Sequence, residues 1–219
     1  MNTPSWIVCG WYTPDYSHWA ERLRASLDAT GAPHDIVMRP KLPGGWEANT
    51  MAKPLAVREA MARHPDKVIV FLDVDCTVHG DLSPLARIAA DVAFYVRSRR
   101  RRGGGIRFGI RSGTLVLRPT PAARAFVDAW VLLSETAIVG DVDQDTLMLA
   151  VGAVPGLSLA TLDLRWCAAP GDVVADAVIV HDSASRHARK LPRHRRLLWR
   201  LARHFQRRPP EPVGASCLS

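Results

Sequence analysis

Two carboxylates one residue apart, Asp73 and Asp75, follow the apolar run Val68-Ile69-Val70-Phe71-Leu72. A run this short, bounded by His64-Pro65-Asp66 and Gly80-Asp81, predicts a strand buried on both faces. Side chains alternate along a strand, which would turn Asp73 and Asp75 to one side and Val74 and Cys76 to the other. Paired carboxylates at the end of a buried strand repel each other and lose solvation unless a hard divalent cation sits between them or on one of them. Lys53 falls in the first turn of a predicted helix, where a cation opposes the positive dipole end at a cost of roughly a few tenths of a kcal/mol. A diphosphate nearby would reverse that sign. At Ser112-Gly113 the glycine removes a side chain where a ligand could come close. Asp141, Asp143 and Asp145 cluster at a predicted helix start, where capping accounts for at least one of them. His181 closes the short apolar strand Val178-Ile179-Val180.

The elements that must position these groups alternate in type. Residues 6–11 predict a first strand that ends at Tyr12-Thr13-Pro14-Asp15, and residues 16–30 a helix stopped by Gly31. Residues 34–38 predict a second strand and 41–45 a loop. A helix over about residues 51–63 accommodates Pro54 in its first turn and takes Asn49 or Thr50 as its cap. Strand, helix, strand, helix and then the central strand make an α/β pattern with these strands parallel. Further on, the chain predicts a short helix over 82–90, a strand over 92–96 and another through 113–117. A helix over 121–134 buries Phe126, Val127, Trp130 and Leu133, and a second runs over 141–151. Between positions 97 and 111 stand seven arginines and no acid around Gly103-Gly104-Gly105, read as a mobile flap that meets an anionic substrate.

The length of 219 residues suits one domain with a substantial core, and 47% hydrophobic with 23% charged residues is ordinary for a globular chain. The net charge of +8 is concentrated: positions 186–208 hold ten Lys or Arg and no acid, which leaves the remainder at −2. No nucleic-acid partner is therefore expected for the core. The start of the chain, Met1-Asn2-Thr3-Pro4-Ser5-Trp6, lacks the cationic and apolar regions of a secretion signal, and no apolar run is long enough to span a bilayer. Cys9, Cys76, Cys167 and Cys217 have no paired metal-ligand spacing and suggest a reducing compartment. On a helix, Leu197, Leu198, Leu201, Ala202 and Phe205 share one arc and Arg196, Arg200, Arg203 and Arg207 the opposite one. This predicts a basic amphipathic helix over 191–208 that lies on an anionic membrane surface, followed by a disordered tail over 209–219. The expected location is cytoplasmic, peripheral at the inner face of a membrane.

Taken together, these features resemble the GT-A glycosyltransferases of the nucleotide-diphospho-sugar transferase type, over about residues 5–190. The resemblance rests on the first strand and helix, the buried strand ending in Asp-x-Asp, the Ser-Gly before a strand, Asp143-Gln144 near a helix start and the late His181. It implies a single α/β domain, Rossmann-like, over 1–190, with a mixed, mostly parallel sheet flanked by helices. It also implies transfer of a sugar from a nucleotide sugar to a glycan or lipid-linked acceptor, such as one used in cell-envelope glycan synthesis. By the same resemblance Asp75 is a ligand of Mn²⁺ or Mg²⁺, and Asp73 shares the metal or contacts the nucleotide ribose. His181 completes the metal shell, and Thr13, Lys53, Ser112, Gly113 and Arg186 contact the donor. Asp143 lies close to the acceptor and, in an inverting enzyme, is the base. The familiar late His-x-x-Gly-x-x-Lys pattern is absent after His181, which leaves Arg186 or Lys190 as the cation for the diphosphate.

A competing resemblance is to haloacid dehalogenase-like phosphatases. Asp73-Val74-Asp75-Cys76-Thr77-Val78 is similar to their first motif and Gly140-Asp141 with Asp145 to their last, with Asp73 as nucleophile and Asp75 as general acid. Against it, the motif follows two complete strand–helix units, and no lysine lies between Lys67 and Lys190 to hold a phosphoryl intermediate.

Overall fold

A computed structural model describes residues 5–100, 103–137 and 141–182. The first half contains β1 (Trp6–Tyr12), a 3-10 turn (Pro14–Tyr16), α1 (Ser17–Ala29), β2 (His34–Met38), α2 (Gly45–Thr50), α3 (Lys53–Arg63) and β3 (Val68–Leu72). There follow β4 (Cys76–Val78), α4 (Ser83–Ala86), β5 (Val92–Arg100), β6 (Ile106–Leu117), α5 (Pro121–Glu135), α6 (Asp143–Val151), β7 (Leu159–Thr161), a second 3-10 turn (Leu164–Trp166) and β8 (Ile179–His181).

Six strands form the main sheet in the order β2-β1-β3-β6-β5-β7. The β1/β2, β1/β3 and β5/β7 pairs are parallel, and β6 runs against both its neighbours. The sheet is thus mixed and mostly parallel. Every residue of β3 is buried because both faces of the sheet are covered. Val68, Val70 and Leu72 pack with Leu23 and Leu27 of α1, while Ile69 and Phe71 pack with Val57, Phe126 and Trp130 of α3 and α5. Local signals set the helix ends: Gly31 takes φ +67 just after α1, and the Thr120 hydroxyl caps α5 by accepting the Ala123 N–H.

Several expectations are corrected. Most of the arginine-rich stretch is strand, residues 97–100 in β5 and 106–111 in β6. β5 and β6 continue outward as a paired arm, in register from Tyr95↔Arg111 to Arg100↔Ile106. Apolar residues and arginines alternate in Ile106-Arg107-Phe108-Gly109-Ile110-Arg111, and that period of two outweighs the repulsion of like charges in water, about 1 kcal/mol per close pair. The helix expected over about 51–63 is α3, but it starts after Ala52 without the expected side-chain cap, and an additional helix, α2, precedes it. Asn49 instead bonds Leu42 and Gly45 and fixes the preceding loop. The helix expected over 82–90 is the single turn of α4. The central strand stops at Leu72, and β4 pairs with β8 in a separate two-stranded sheet. The expectations for residues 183–219, among them Arg186, Lys190 and the amphipathic helix, lie outside the described residues. Among the described residues no helix is long and apolar enough to cross a membrane.

Candidate active site

Asp73 is the first residue after β3, and its N–H donates to the Gly113 carbonyl at 2.9 Å. The chain turns through Val74 and Asp75 before β4, and the Cys76 thiol donates to the Asp73 carbonyl at 3.0 Å. Asp73 and Asp75 stay partly exposed while Val74 and Cys76 are buried. A turn, and not a continuing strand, therefore brings the two carboxylates to one side. The β4/β8 ladder opposes Cys76 to His181, and the Asp182 N–H donates to the Asp75 carbonyl at 2.6 Å. One ligand atom from each of Asp73, Asp75 and His181 lies within 4.8 Å of the others.

His181 is held in one tautomer. The Thr114 hydroxyl donates to the Trp166 carbonyl at 2.8 Å, so toward the imidazole it can only accept, and it takes the Nε2–H at 3.0 Å. Nδ1 is left with a lone pair. Burial first, and then the nearby positive charge of Lys53 and Arg111, push the His181 pKa down to about 4 against the pull of Asp73 and Asp182, so the ring is neutral at physiological pH. A neutral imidazole oriented by a hydrogen bond on its far nitrogen, beside two carboxylates, fits a divalent cation.

On the other side of Asp73 sits a buried ion cluster. Lys53 Nζ lies 2.7 Å from Asp73 Oδ1, 2.7 Å from Asp143 Oδ2 and 3.1 Å from Ser112 Oγ. The Ser112 hydroxyl donates to Asp143 Oδ2 at 2.5 Å. Burial opposes the charge on Lys53, but Asp143 and then Asp73 outweigh it and raise the pKa. The lysine is thus neutralised by two carboxylates within the fold, a partner set that sequence reading missed because all three residues come from distant elements. Its helix-start position gave a reason to look for an anion and no means of naming it.

A bulge aims the β6 residues. Between the pairs Phe94↔Leu115 and Tyr95↔Arg111, β6 carries the extra residues Ser112, Gly113 and Thr114. Ser112 meets Lys53 and Asp143, and Thr114 meets His181. A Cβ on Gly113 would come 2.7 Å from His181 Cε1 and 3.3 Å from Asp73 Oδ2. The glycine therefore makes room for the site's own histidine.

Two clefts meet at this point. The first, about 270 Å³, is lined by Tyr12, Thr13, Tyr16, Trp46, Lys53 and Asp143 among others. The second, about 510 Å³, runs along the β5/β6 arm and His181. Asp73, Asp75 and Gln144 line both. Thr13 is buried and donates to Asp15 Oδ1 at 2.6 Å. Asp145 accepts from the Val142 N–H at 3.3 Å and so caps α6.

No protein-family model matches the sequence, and comparison with curated proteins finds no match. Solved structures do match. A glycosyltransferase involved in the glycosylation of the major capsid of PBCV-1 aligns with TM-score 0.64 at 14% identity, over 88% of this chain and 97% of that one. The galactosyltransferase LgtC, solved in complex with donor and acceptor sugar analogs, aligns with TM-score 0.51 at 14% identity, over 94% of this chain and 98% of that one. The glycosyltransferase GlyE of Streptococcus pneumoniae TIGR4 aligns with TM-score 0.55 at 16% identity, over 90% of this chain but only 60% of GlyE. The fold is of the GT-A type. Within this GT-A fold the structure brings Asp73, Asp75, His181, Lys53, Ser112, Gly113 and Asp143 together, and Thr13 lines the cleft beside them.

A second group that could be taken for a metal site, Cys9, Asp35 and His64, does not fit one. Arg63 Nε and His64 Nε2 both lie 2.9 Å from Asp35 Oδ2, and burial, then the charge of Asp35, push the Cys9 thiol up to about 12. The Arg63 guanidinium and the His64 ring already occupy the Asp35 carboxylate, and a cation placed there would meet the Arg63 charge.

Proposed function

We propose that this protein is a glycosyltransferase that moves a sugar from a nucleoside-diphosphate sugar to an acceptor hydroxyl, with Mn²⁺ or Mg²⁺ at Asp75, Asp73 and His181. The observation that carries the reading is the convergence of these three side chains where the two clefts meet. In the reaction a bond forms between the acceptor oxygen and the anomeric carbon, and the bond from that carbon to the diphosphate breaks. The nucleoside diphosphate leaves with the bonding pair, and the acceptor proton passes to a base. The cation would supply positive charge for the diphosphate as it departs.

The remaining roles belong to the chain's own residues. Tyr12, Thr13, Tyr16 and Trp46 give the first cleft an aromatic and hydrogen-bonding lining suited to a nucleotide. The late cation, Arg186, completes the diphosphate contacts in this reading. Asp143 has Oδ2 committed to Lys53 and Ser112, which leaves Oδ1 to face a hydroxyl. Lys53 holds Asp143 in place through the 2.7 Å ion pair. If the reaction inverts, Asp143 receives the acceptor proton. The amphipathic segment 191–208 would hold the enzyme against an anionic membrane on the cytoplasmic side, near a lipid-linked or envelope acceptor.

A panel of nucleoside diphosphates and nucleotide sugars, with and without Mn²⁺, tests this by thermal melting. A ligand at 100 times its dissociation constant adds about 2.7 kcal/mol, visible as a higher Tm. The expected response requires the metal and is lost in Asp75→Asn, which keeps the shape and removes the charge. Nucleotide binding that ignores metal and survives Asp75→Asn refutes the metal assignment. Phosphomonoester turnover lost in Asp73→Asn would point to a phosphatase instead.

A further inference from the structure

The β5/β6 arm alternates apolar residues with arginines along its outer half. Cross-strand partners of an antiparallel pair share a face, so Val96 with Ile110, Ser98 with Phe108 and Arg100 with Ile106 form one surface. Arg97 with Gly109 and Tyr95 with Arg111 form the other. Ile106 and Phe108 are 60% and 61% exposed, Ile110 is buried, and Phe108 and Ile110 also border the second cleft. Arg97, Arg107 and Arg111 line the second cleft, where Asp73, Asp75 and His181 lie.

Arg111 is already engaged. It pairs with both oxygens of Asp172 at 2.5 and 3.2 Å, donates to the Cys167 carbonyl at 2.8 Å and stacks on Tyr95. Asp182, in the same cleft, pairs with Arg22 at 2.9 Å. Among the described residues no carboxylate lies within ion-pair distance of Arg97 or Arg107. Two guanidinium groups thus face a cleft that abuts the site and have no counterion at ion-pair distance among the described residues.

We propose that this second cleft takes an acceptor that carries an oxyanion, a phosphate or a carboxylate, seated on Arg97 and Arg107. The inference rests on the glycosyltransferase reading, in which the nucleotide fills the aromatic first cleft and leaves the second to the acceptor. Guanidinium pairs with such groups through parallel hydrogen bonds, which fixes the acceptor's orientation as well as its sign of charge. An acceptor anchored this way presents its hydroxyl from the arm side, toward the Asp73, Asp75 and Gln144 wall shared by the two clefts.

The test uses the full chain in Mg²⁺, saturated with the nucleoside diphosphate that most raises its Tm. Glucose, glucose 6-phosphate, glucuronate and inorganic sulfate are then titrated in by calorimetry. The charged probes are expected to bind about tenfold or more tightly than glucose. The double variant Arg97→Ser with Arg107→Ser should abolish that preference and leave nucleotide affinity unchanged. Vesicles of phosphatidylglycerol, against phosphatidylcholine, separate the sources: weaker binding in the double variant than in the parent chain, beyond what the basic segment 186–208 contributes to both and without a response to soluble anions, locates the same oxyanion on a lipid. Equal binding of all soluble probes together with vesicle binding that the double variant leaves unchanged, or a preference among the soluble probes that survives the double variant, overturns the proposal. So does a parallel loss of nucleotide affinity, which would assign the arginines to the donor diphosphate. Absence of any metal-dependent nucleotide response, read before a sugar is added, overturns the glycosyltransferase reading and this inference with it.

Discussion

A side chain at position 113 would strike the His181 ring, and Thr114 next to it supplies the oxygen that orients that ring. Two adjacent residues of one bulge thus decide where a histidine from the far end of the described chain can stand. Replacing Thr114 by Val keeps the shape and removes the acceptor, which frees the ring to rotate or change tautomer. We expect Thr114→Val to weaken Mn²⁺ binding about 10–100-fold, the usual effect of losing a partner behind a metal ligand. Gly113→Ala should do the same by displacement, with an added packing cost of about 1–3 kcal/mol. Metal titration followed by Tm, alongside a denaturant melt without metal, separates the two. Unchanged metal affinity in Thr114→Val would mean that the hydrogen bond does not orient the ligand. The pairing of Asp73 with Asp75 was legible because a buried strand led straight into it. The partners of Lys53 were not, because Asp73, Ser112 and Asp143 reach it from three elements and nothing local in the sequence points to them.

At the scale of elements, Asp91 ties three together ahead of β5. It accepts from the Ser158 hydroxyl and N–H, which lead into β7, and from the hydroxyl of Thr120, the cap of α5. The Ser158 hydroxyl, then that of Thr120, then the Ser158 N–H hold the Asp91 carboxyl below its usual range. A carboxyl with a lowered folded pKa contributes stability that is complete above its unfolded value, about 3.9, and is lost as pH falls through the folded value. Asp91→Asn should therefore destabilise the protein at neutral pH by about 1–3 kcal/mol and flatten the loss of stability below about pH 4. Urea melts at pH 7 and pH 3 measure both; an unaltered acid limb would show that the carboxyl is not coupled to folding. The same scale explains what was misread in the arm. Its alternation of Ile106, Arg107, Phe108, Gly109, Ile110 and Arg111 is strand periodicity in plain view, but seven like charges around three glycines argued for a loop. β4, β7 and β8 have three residues each, too few to carry a periodic signal, and only their pairing makes them strands.

Across the whole molecule, charge is divided between a core of slight negative balance and a strongly basic segment at 186–208. If that segment binds an anionic surface, the full chain should sediment with phosphatidylglycerol vesicles and not with neutral ones. Added salt should weaken the association, since each basic residue near the surface contributes about 1 kcal/mol. Deletion from Leu191 onward should abolish it; binding that persists, or that ignores lipid charge, would leave the segment without this role. The two-stranded β4/β8 sheet has a consequence in time. All six strands of the main sheet lie before residue 162, whereas His181 arrives with β8, more than a hundred residues after Asp75. A chain emerging vectorially from the ribosome can pair its main sheet before it possesses the third ligand of the proposed metal site, so under the proposed function the nascent chain would be folded in outline yet inert. Progressive truncation from the C-terminal side should accordingly extinguish the metal response before it extinguishes the cooperative melt.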